Sequence, residues 1–337
     1  MPTDAIGLDI GGANLKFATA SGWAASRPFE LWKQPERLAD QLAQLATELP
    51  ADVPVGVTMT GELCDCFATK RDGVRQILAA VGRVFHPPLV RVWSTSGELL
   101  SLDDAAERPR AVAAANWHAL ATFACRFAPK DCALVIDIGS TTTDIIPLVT
   151  GKPVPVGLTD RDRLMSAELV YTGARRTPVC AILGTEVAAE LFATTQDVYL
   201  RLGMTPEEPA NHSTADGRAA TVEGAHARLS RMLGGDAEDT TQEATYALAQ
   251  KAFERQRAVI AEAIRLVARR LSQPPRTIIV SGSGEFLARA AVDVAAHDGL
   301  YEASPSEIIS LASQFGATAS HAACAFALAV LMSEAER

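Results

Sequence analysis

The chain alternates short apolar runs with longer stretches in which apolar residues recur every three or four positions. Short runs bounded by Gly, Pro or Asp are the pattern of buried strands, and the longer recurrence is the pattern of helices. AIGLDI (5–10) is such a run, and LKFATA (15–20), beyond a glycine turn, is its hairpin partner. Leu38, Leu42, Leu45 and Leu49 stand at helical spacing across 36–49. VPVGVTM (53–59) and LVRVW (89–93) read as strands on either side of a helix over 73–85. A single helix is then predicted over 110–127, ended by Pro129.

The pattern restarts beyond Pro129. CALVIDI (132–138) and TTDIIPLV (142–149) predict a second hairpin, and 177–183 a further strand. Residues 203–239 are polar and turn-rich, with a short helix in VEGAHARLSRML. Phe253, Ile260, Ile264, Val267 and Leu271 stripe a long amphipathic helix that Pro274 and Pro275 end. TIIVSGSGEFLA (277–288) is strand, glycine turn, helix, and HAACAFALAVLM (321–332) is a closing buried helix. The prediction is an α/β protein of two units with mixed sheets flanked by helices. The first unit spans 1–129 and is joined by the closing helix, 317–335; the second spans 130–316, with a helical insertion over 203–273.

Composition changes this picture little. A chain of 337 residues, 48% hydrophobic and 21% charged, has material for two cores. A net charge of −9 argues against a general nucleic-acid or anionic-membrane binder and leaves a local basic pocket open. Six cysteines without CxxC spacing fit reduced thiols and a cytoplasmic protein. Cys64 and Cys66 have no second Cys or His pair to complete a metal site. No basic segment followed by an apolar core opens the chain, and the closing run is short of the roughly 20 apolar residues a membrane helix needs. Oligomeric state stays open, a homo-oligomer included.

The chemistry lies in a repeat. GLDIGGANLKFA (7–18) and LVIDIGSTTTDIIPL (134–148) each run from an apolar stretch through Asp and a Gly-rich turn into a second apolar stretch. Glycine lets backbone N–H groups turn toward an anion, and an adjacent carboxylate suits a divalent cation that bridges phosphate oxygens. Asp9 and Asp137 are the candidate acids, and Gly11, Gly12, Asn14, Gly139, Ser140, Thr141 and Thr142 the candidate donors. The turn SGSGE (281–285), with Gly282 and Gly284, is expected to converge on the same cleft. Two jaws gripping one polyphosphate is the arrangement this implies.

Further candidates are weighed singly. Arg175 and Arg176, in a Gly-flanked loop, can hold phosphate oxygens or form a solvated basic turn. Lys16 can reach a phosphate or face solvent. Glu62 and Asp65 follow a strand, placed for base work or for holding an amine, or else for turn formation. His118 reads as a packing residue before a functional one, and Asp216 in TADGR as an Asx-type turn.

The order DxGG, DIGSTTTD, VSGSGE and a Gly-Ala-rich closing helix resembles the actin/Hsp70/sugar-kinase superfamily. That resemblance implies two ribonuclease-H-like domains about a central cleft, with Asp9 and Asp137 matching the metal-associated acids. VTMTGELCDCF (57–67), AANWHALA (114–121), LVYTGARRTPV (169–179) and TADGR (214–218) are similar to a narrower branch. It is the hydantoinase/oxoprolinase-like proteins linked to tetrahydromethanopterin one-carbon metabolism. The branch implies a transferase of methanofuran biosynthesis that joins the phenol of γ-glutamyltyramine to an (aminomethyl)furanmethyl diphosphate. It implies Mg²⁺ at Asp9 and Asp137 and no requirement for ATP. Asn14 stands where many sugar kinases carry Thr or Ser, and SGSGE lacks the second Gly-Gly of nucleotide binders. The rival readings are an ATP-dependent small-molecule kinase or hydantoinase-like hydrolase, and a non-catalytic actin-like nucleotide switch.

Overall fold

The computed structural model of the chain describes residues 4–297 and 307–335. Its first sheet contains β1 (Ile6–Ile10), β2 (Asn14–Thr19), β3 (Ala24–Pro28), β4 (Val55–Met59), β5 (Val90–Trp93) and β6 (Leu99–Leu100). Their spatial order is β3-β2-β1-β4-β5-β6. β2 is antiparallel to β1 and β3, while β4 is parallel to β1 and β5. The second sheet contains β7 (Cys132–Ile138), β8 (Thr143–Val149), β9 (Lys152–Pro153), β10 (Leu169–Val170), β11 (Thr277–Ser281) and β12 (Glu307–Ser310). Its order is β10-β8-β7-β11-β12, with β9 paired to β8. β7 is antiparallel to β8 and parallel to β11. Each sheet therefore centres on one strand with a hairpin mate on one side and a parallel strand on the other. This is the mixed-sheet architecture the resemblance implies.

β1, β4 and β11 are buried at every position, which is why they read as unbroken apolar runs rather than alternating ones. The helices Leu38–Ala46 and Lys70–Val84 cover the first sheet with Leu38, Leu42, Leu45, Val74, Ile77 and Val81. Thr69 starts the second of these by accepting a hydrogen bond from the Asp72 amide at 3.2 Å. The helix Gln242–Ala268 packs Ile260, Ile264 and Val267 into a core with β8, and Glu285–Ala295 packs Leu287 and Ala291 onto β7 and β11. Gln242–Ala268 stops well before Pro274, so Leu271 joins the core from beyond the helix end.

The closing helix, Ala323–Ala335, packs on β1, β2 and β4 and shares a core with Trp117, Phe123 and Ile279 between the two sheets. It lies so close to β1 that a Cβ on Gly7 would stand 1.9 Å from the Ala325 carbonyl oxygen. No described helix is long and apolar enough to cross a membrane.

Two predicted elements are corrected. The helix expected over 110–127 is two helices, Pro109–Val112 and Asn116–Ala124, because Ala114 adopts φ +48 and breaks the hydrogen-bond ladder. The strand expected over 177–183 is instead a helix, Val179–Leu183, entered from Pro178 and ended by Gly184 at φ +63. Short apolar runs do not distinguish a strand from a buried helix, and here the proline start and glycine stop decide.

The Gly7 contact gives a test of the fold. Gly7→Ala is expected to lower unfolding free energy by about 2–3 kcal/mol, because backbone on both sides must move to admit one methyl. Chemical denaturation checks it, and an unchanged midpoint would mean the helix does not seat on β1 in this way.

Candidate functional site

The two glycine turns lie at the C-terminal ends of β1 and β7 and open on one cleft of about 760 Å³. They are the same turn built twice. The Gly11 amide donates to the Asn14 carbonyl at 3.0 Å, and the Gly139 amide to the Thr142 carbonyl at 2.9 Å. Strand register then sets Asp9 opposite Lys16 and Asp137 opposite Asp144. The amides of Gly12, Ala13, Ser140 and Thr141 have no partner among the described residues, and all four residues line the cleft. Unpaired amides beside a cavity suit an anion.

The acids are buried or half-buried around this opening. Asp9 is 6% exposed, and its Oδ1 has no hydrogen-bond partner. Burial pushes its carboxyl above the usual range, against the pull of Lys16. Asp137 accepts a hydrogen bond from the Ser281 hydroxyl at 2.6 Å. Burial, and next the charge of Asp144, push it up to about 6. Asp144 is raised by burial too, although Arg163 donates to its Oδ1 at 2.6 Å. Arg163 is itself 1% exposed, lies over the Trp117 ring at 4.1 Å and donates to the Glu168 carbonyl at 3.1 Å. Trp117 belongs to the helix Asn116–Ala124 and Arg163 to Asp160–Met165, so this stack ties the two helices together.

Most of the residues singled out in the sequence meet here. Asp9, Gly11, Gly12, Asn14, Lys16, Asp65, Asp137, Gly139, Ser140, Thr141, Thr142 and Arg176 all line the cleft. Arg176 lies over the Trp32 ring at 4.9 Å, a contact that spans the opening. Lys70, at the start of Lys70–Val84, pairs at 3.0 Å with Asp160, at the start of Asp160–Met165.

Four candidates are placed elsewhere. The Arg175 amide donates to the Ser140 carbonyl at 3.0 Å, but its guanidinium is held in a bidentate pair by Glu208, with its Nη1 at 3.0 Å, and does not line the cleft. Gly282 and Gly284 sit behind the second turn: the Gly284 amide donates to the Ile138 carbonyl at 2.9 Å, and a Cβ on Gly282 would stand 2.3 Å from that oxygen. The SGSGE turn thus reaches the site through Ser281, not through its glycines. Glu62 is 1% exposed beneath the surface, with neither carboxylate oxygen bonded, and burial pushes it up to about 7.

His118 is a packing residue: it accepts from the Trp93 indole at 3.2 Å, and burial lowers it to about 4. Asp216 makes the expected Asx-type turn, accepting from the Arg218 amide at 3.1 Å. Sequence reasoning missed Asp144, Arg163, Trp32, Asp160 and Tyr171, all of which line the cleft. Only Asp144 carried a signal, since it holds in the second copy of the repeat the place Lys16 holds in the first.

Among the described residues no group of three or more His, Cys, Asp or Glu side chains forms a complete metal cage. A Mg²⁺ ion that shares its coordination with phosphate oxygens and waters needs only one or two carboxylates. The free Oδ1 of Asp9 and the Asp137 carboxyl fit that requirement.

The raised acids set a stability prediction. The folded state holds the Asp137 proton to about pH 6, against an ordinary value of 3.8, so it binds more protons than the unfolded chain between those values. Stability should therefore fall as pH rises through that window. Asp137→Asn keeps an oxygen for Ser281 and should melt at or above wild type at pH 7, with a flatter pH profile. Melting curves from pH 4 to 7 check both, and a variant that melts lower at pH 7 would show that the carboxylate is stabilising.

The hydantoinase/oxoprolinase family model matches residues 54–329. A Methanocaldococcus jannaschii protein named (4-{4-[2-(gamma-L-glutamylamino)ethyl]phenoxymethyl}furan-2-yl)methanamine synthase is 33% identical over 338 residues, covering 97% of each chain. A Methanococcus vannielii protein of the same name is 30% identical over 220 residues, covering 63% of this chain and 95% of that one. The nucleotide-free structure of acetone carboxylase superposes with a TM-score of 0.56 at 10% identity, over 98% of this chain and 70% of that one. At that identity the last likeness speaks for the fold alone.

Proposed function

The chain belongs to the hydantoinase/oxoprolinase family, and from that premise we propose that it is a transferase of methanofuran biosynthesis, the synthase named for its relatives. It joins the phenol of γ-glutamyltyramine to an (aminomethyl)furanmethyl diphosphate and releases diphosphate. The observation that carries this reading is the reach of the similarity, 97% of both chains. Its setting is tetrahydromethanopterin-linked one-carbon metabolism in the cytoplasm, with small molecules as its partners.

The residues suit the reaction. The unpaired amides of the two turns, with Lys16 and Arg176, bind the diphosphate and hold its charge as the C–O bond breaks. Asp9 and Asp137 would hold Mg²⁺, which when bound neutralises the leaving group. The breaking bond leaves its electron pair on the diphosphate oxygen, and the furan ring delocalises the positive charge left on the methylene. The phenol oxygen forms the new bond to that carbon, and its proton passes to Asp65, the one of the two candidate bases that reaches the cleft surface. Trp32 and Tyr171 give the cleft aromatic rings suited to a furan and a phenol. ATP has no part in these steps, and no observation favours the kinase, hydrolase or switch readings.

The test is diphosphate release by the purified protein with Mg²⁺ and the furanmethyl diphosphate, with and without γ-glutamyltyramine, in the absence of ATP. Release that requires the phenol, with a product of the summed mass less diphosphate, is expected. ADP formation from ATP with no ether product would overturn the reading. Asp9→Asn and Asp137→Asn are expected to lose about a thousandfold in kcat while remaining folded. Arg176→Ala should raise the KM for the diphosphate substrate about tenfold, and an unchanged KM would remove Arg176 from the diphosphate site.

A further inference from the structure

A second cavity of about 560 Å³ adjoins the cleft, and the proposed reaction leaves it without a role. Lys70, Arg71, Asp72, Arg110, Ala113 and Asp160 line it. Its size is that of a small-molecule site. Two features join it to the cleft. Asp160 borders both cavities, and the chain crosses from one to the other at the helix break, with Ala113 in the second and Ala114 in the first. Ala114 is one of four described non-glycine residues with positive φ, and the only one of them that borders either cavity. Backbone strain of about 1–3 kcal/mol is kept where the conformation itself is needed, and here it shapes the wall between two chambers.

The charges in the second cavity are of both signs. Arg71 and Arg110 have no ion-pair partner among the described residues, whereas Lys70 is already taken by Asp160. Asp72 stands beside Arg71, its carboxylate engaged only by the Thr69 hydroxyl at 2.6 Å. Two free guanidinium groups with a carboxylate between neighbours suit a ligand that is both anion and cation. A diphosphate would meet the two guanidinium groups but leave the Asp72 carboxylate without a matching charge.

We propose that this cavity binds the α-amino-acid head of the phenol substrate, its α-carboxylate between Arg71 and Arg110 and its α-ammonium at Asp72, while the phenol lies in the cleft. The proposal rests on the transferase reading: a glutamyl group joined through its side chain leaves its α-amino and α-carboxyl groups free, a zwitterion at the far end of the tyramine. The Lys70–Asp160 bridge stands at the border of the two cavities, since Asp160 lines both and Lys70 the second.

The experiment compares γ-glutamyltyramine with tyramine, which keeps the phenol and lacks the head, in wild type, Arg110→Ala and Arg71→Ala. Both arginines are exposed, so folding is not at stake. Each substitution is expected to raise the KM for γ-glutamyltyramine about tenfold and to erase the preference for it over tyramine. An equal effect on both substrates, or none on either, would overturn the proposal. A second measurement needs no turnover: calorimetric binding of γ-L-glutamylethylamide, the head without the phenol, which Arg110→Ala should weaken about tenfold. Such binding in a protein that forms no ether would keep the cavity's assignment and remove the reaction. Ether formation with equal KM for the two phenols would keep the reaction and remove the assignment. Displacement of the ethylamide by inorganic diphosphate at comparable concentration would identify a plain anion site and overturn the proposal.

Discussion

Three carboxyl groups, those of Asp9, Asp137 and Asp144, are largely withdrawn from water around one opening, and burying a carboxylate is costly unless something takes up its charge. Lys16 stands opposite the first and Arg163 bonds the third, while Asp137 has only the Ser281 hydroxyl. The compensation is incomplete, which is why all three acids are raised. Arg163 cannot supply its share alone, because a guanidinium buried to this degree also needs support. It finds that support in the Trp117 ring and the Glu168 carbonyl. The electrostatics of the cleft thus depend on a stack between residues of two helices, Asn116–Ala124 and Asp160–Met165. A shift of one of these helices against the other would change the charge state of the site.

The backbone meets this demand by close approach. The closing helix can stand between the sheets only because Gly7 gives β1 a face without a side chain, and that helix in turn holds Asn116–Ala124, and with it Trp117, in place. The break at Ala114 works in the other direction. It frees the short helix Pro109–Val112 to face the second cavity while Asn116–Ala124 stays in the shared core. Packing and site geometry are therefore the same constraint seen from two sides.

What the sequence makes legible follows from the same physics. A hairpin turn fixes which residues stand opposite one another, so the repeat by itself places Asp9, Asp137 and both loops at one opening. It also encodes Asp144, but only through residue-by-residue alignment of the two copies, because one carries Lys where the other carries Asp. Arg175 and Arg176 look alike in sequence, yet adjacent side chains leave the chain in different directions, and one meets Glu208 while the other meets Trp32. Glu208 lies far along the chain in a turn-rich stretch that no periodicity connects to the loop. The break in 110–127 is hidden for a different reason. Alanine is a strong helix former, so nothing in its own propensity announces the left-handed conformation that Ala114 adopts.

The charge difference between the two copies has a consequence for orientation. A cleft formed by two like hairpins would accept a ligand in two orientations related by the pseudo-symmetry, unless something told the halves apart. Lys16 and Asp144 occupy equivalent places with opposite charge, and both line the cleft. An anion is attracted toward the first of these places and repelled from the second, except as Arg163 offsets Asp144. Arg176 follows the second hairpin in the chain but lies over Trp32, which follows the first, and so adds positive charge on the same side. The symmetry of the backbone therefore supplies two donor loops, and the asymmetry of a single side-chain position gives them a direction.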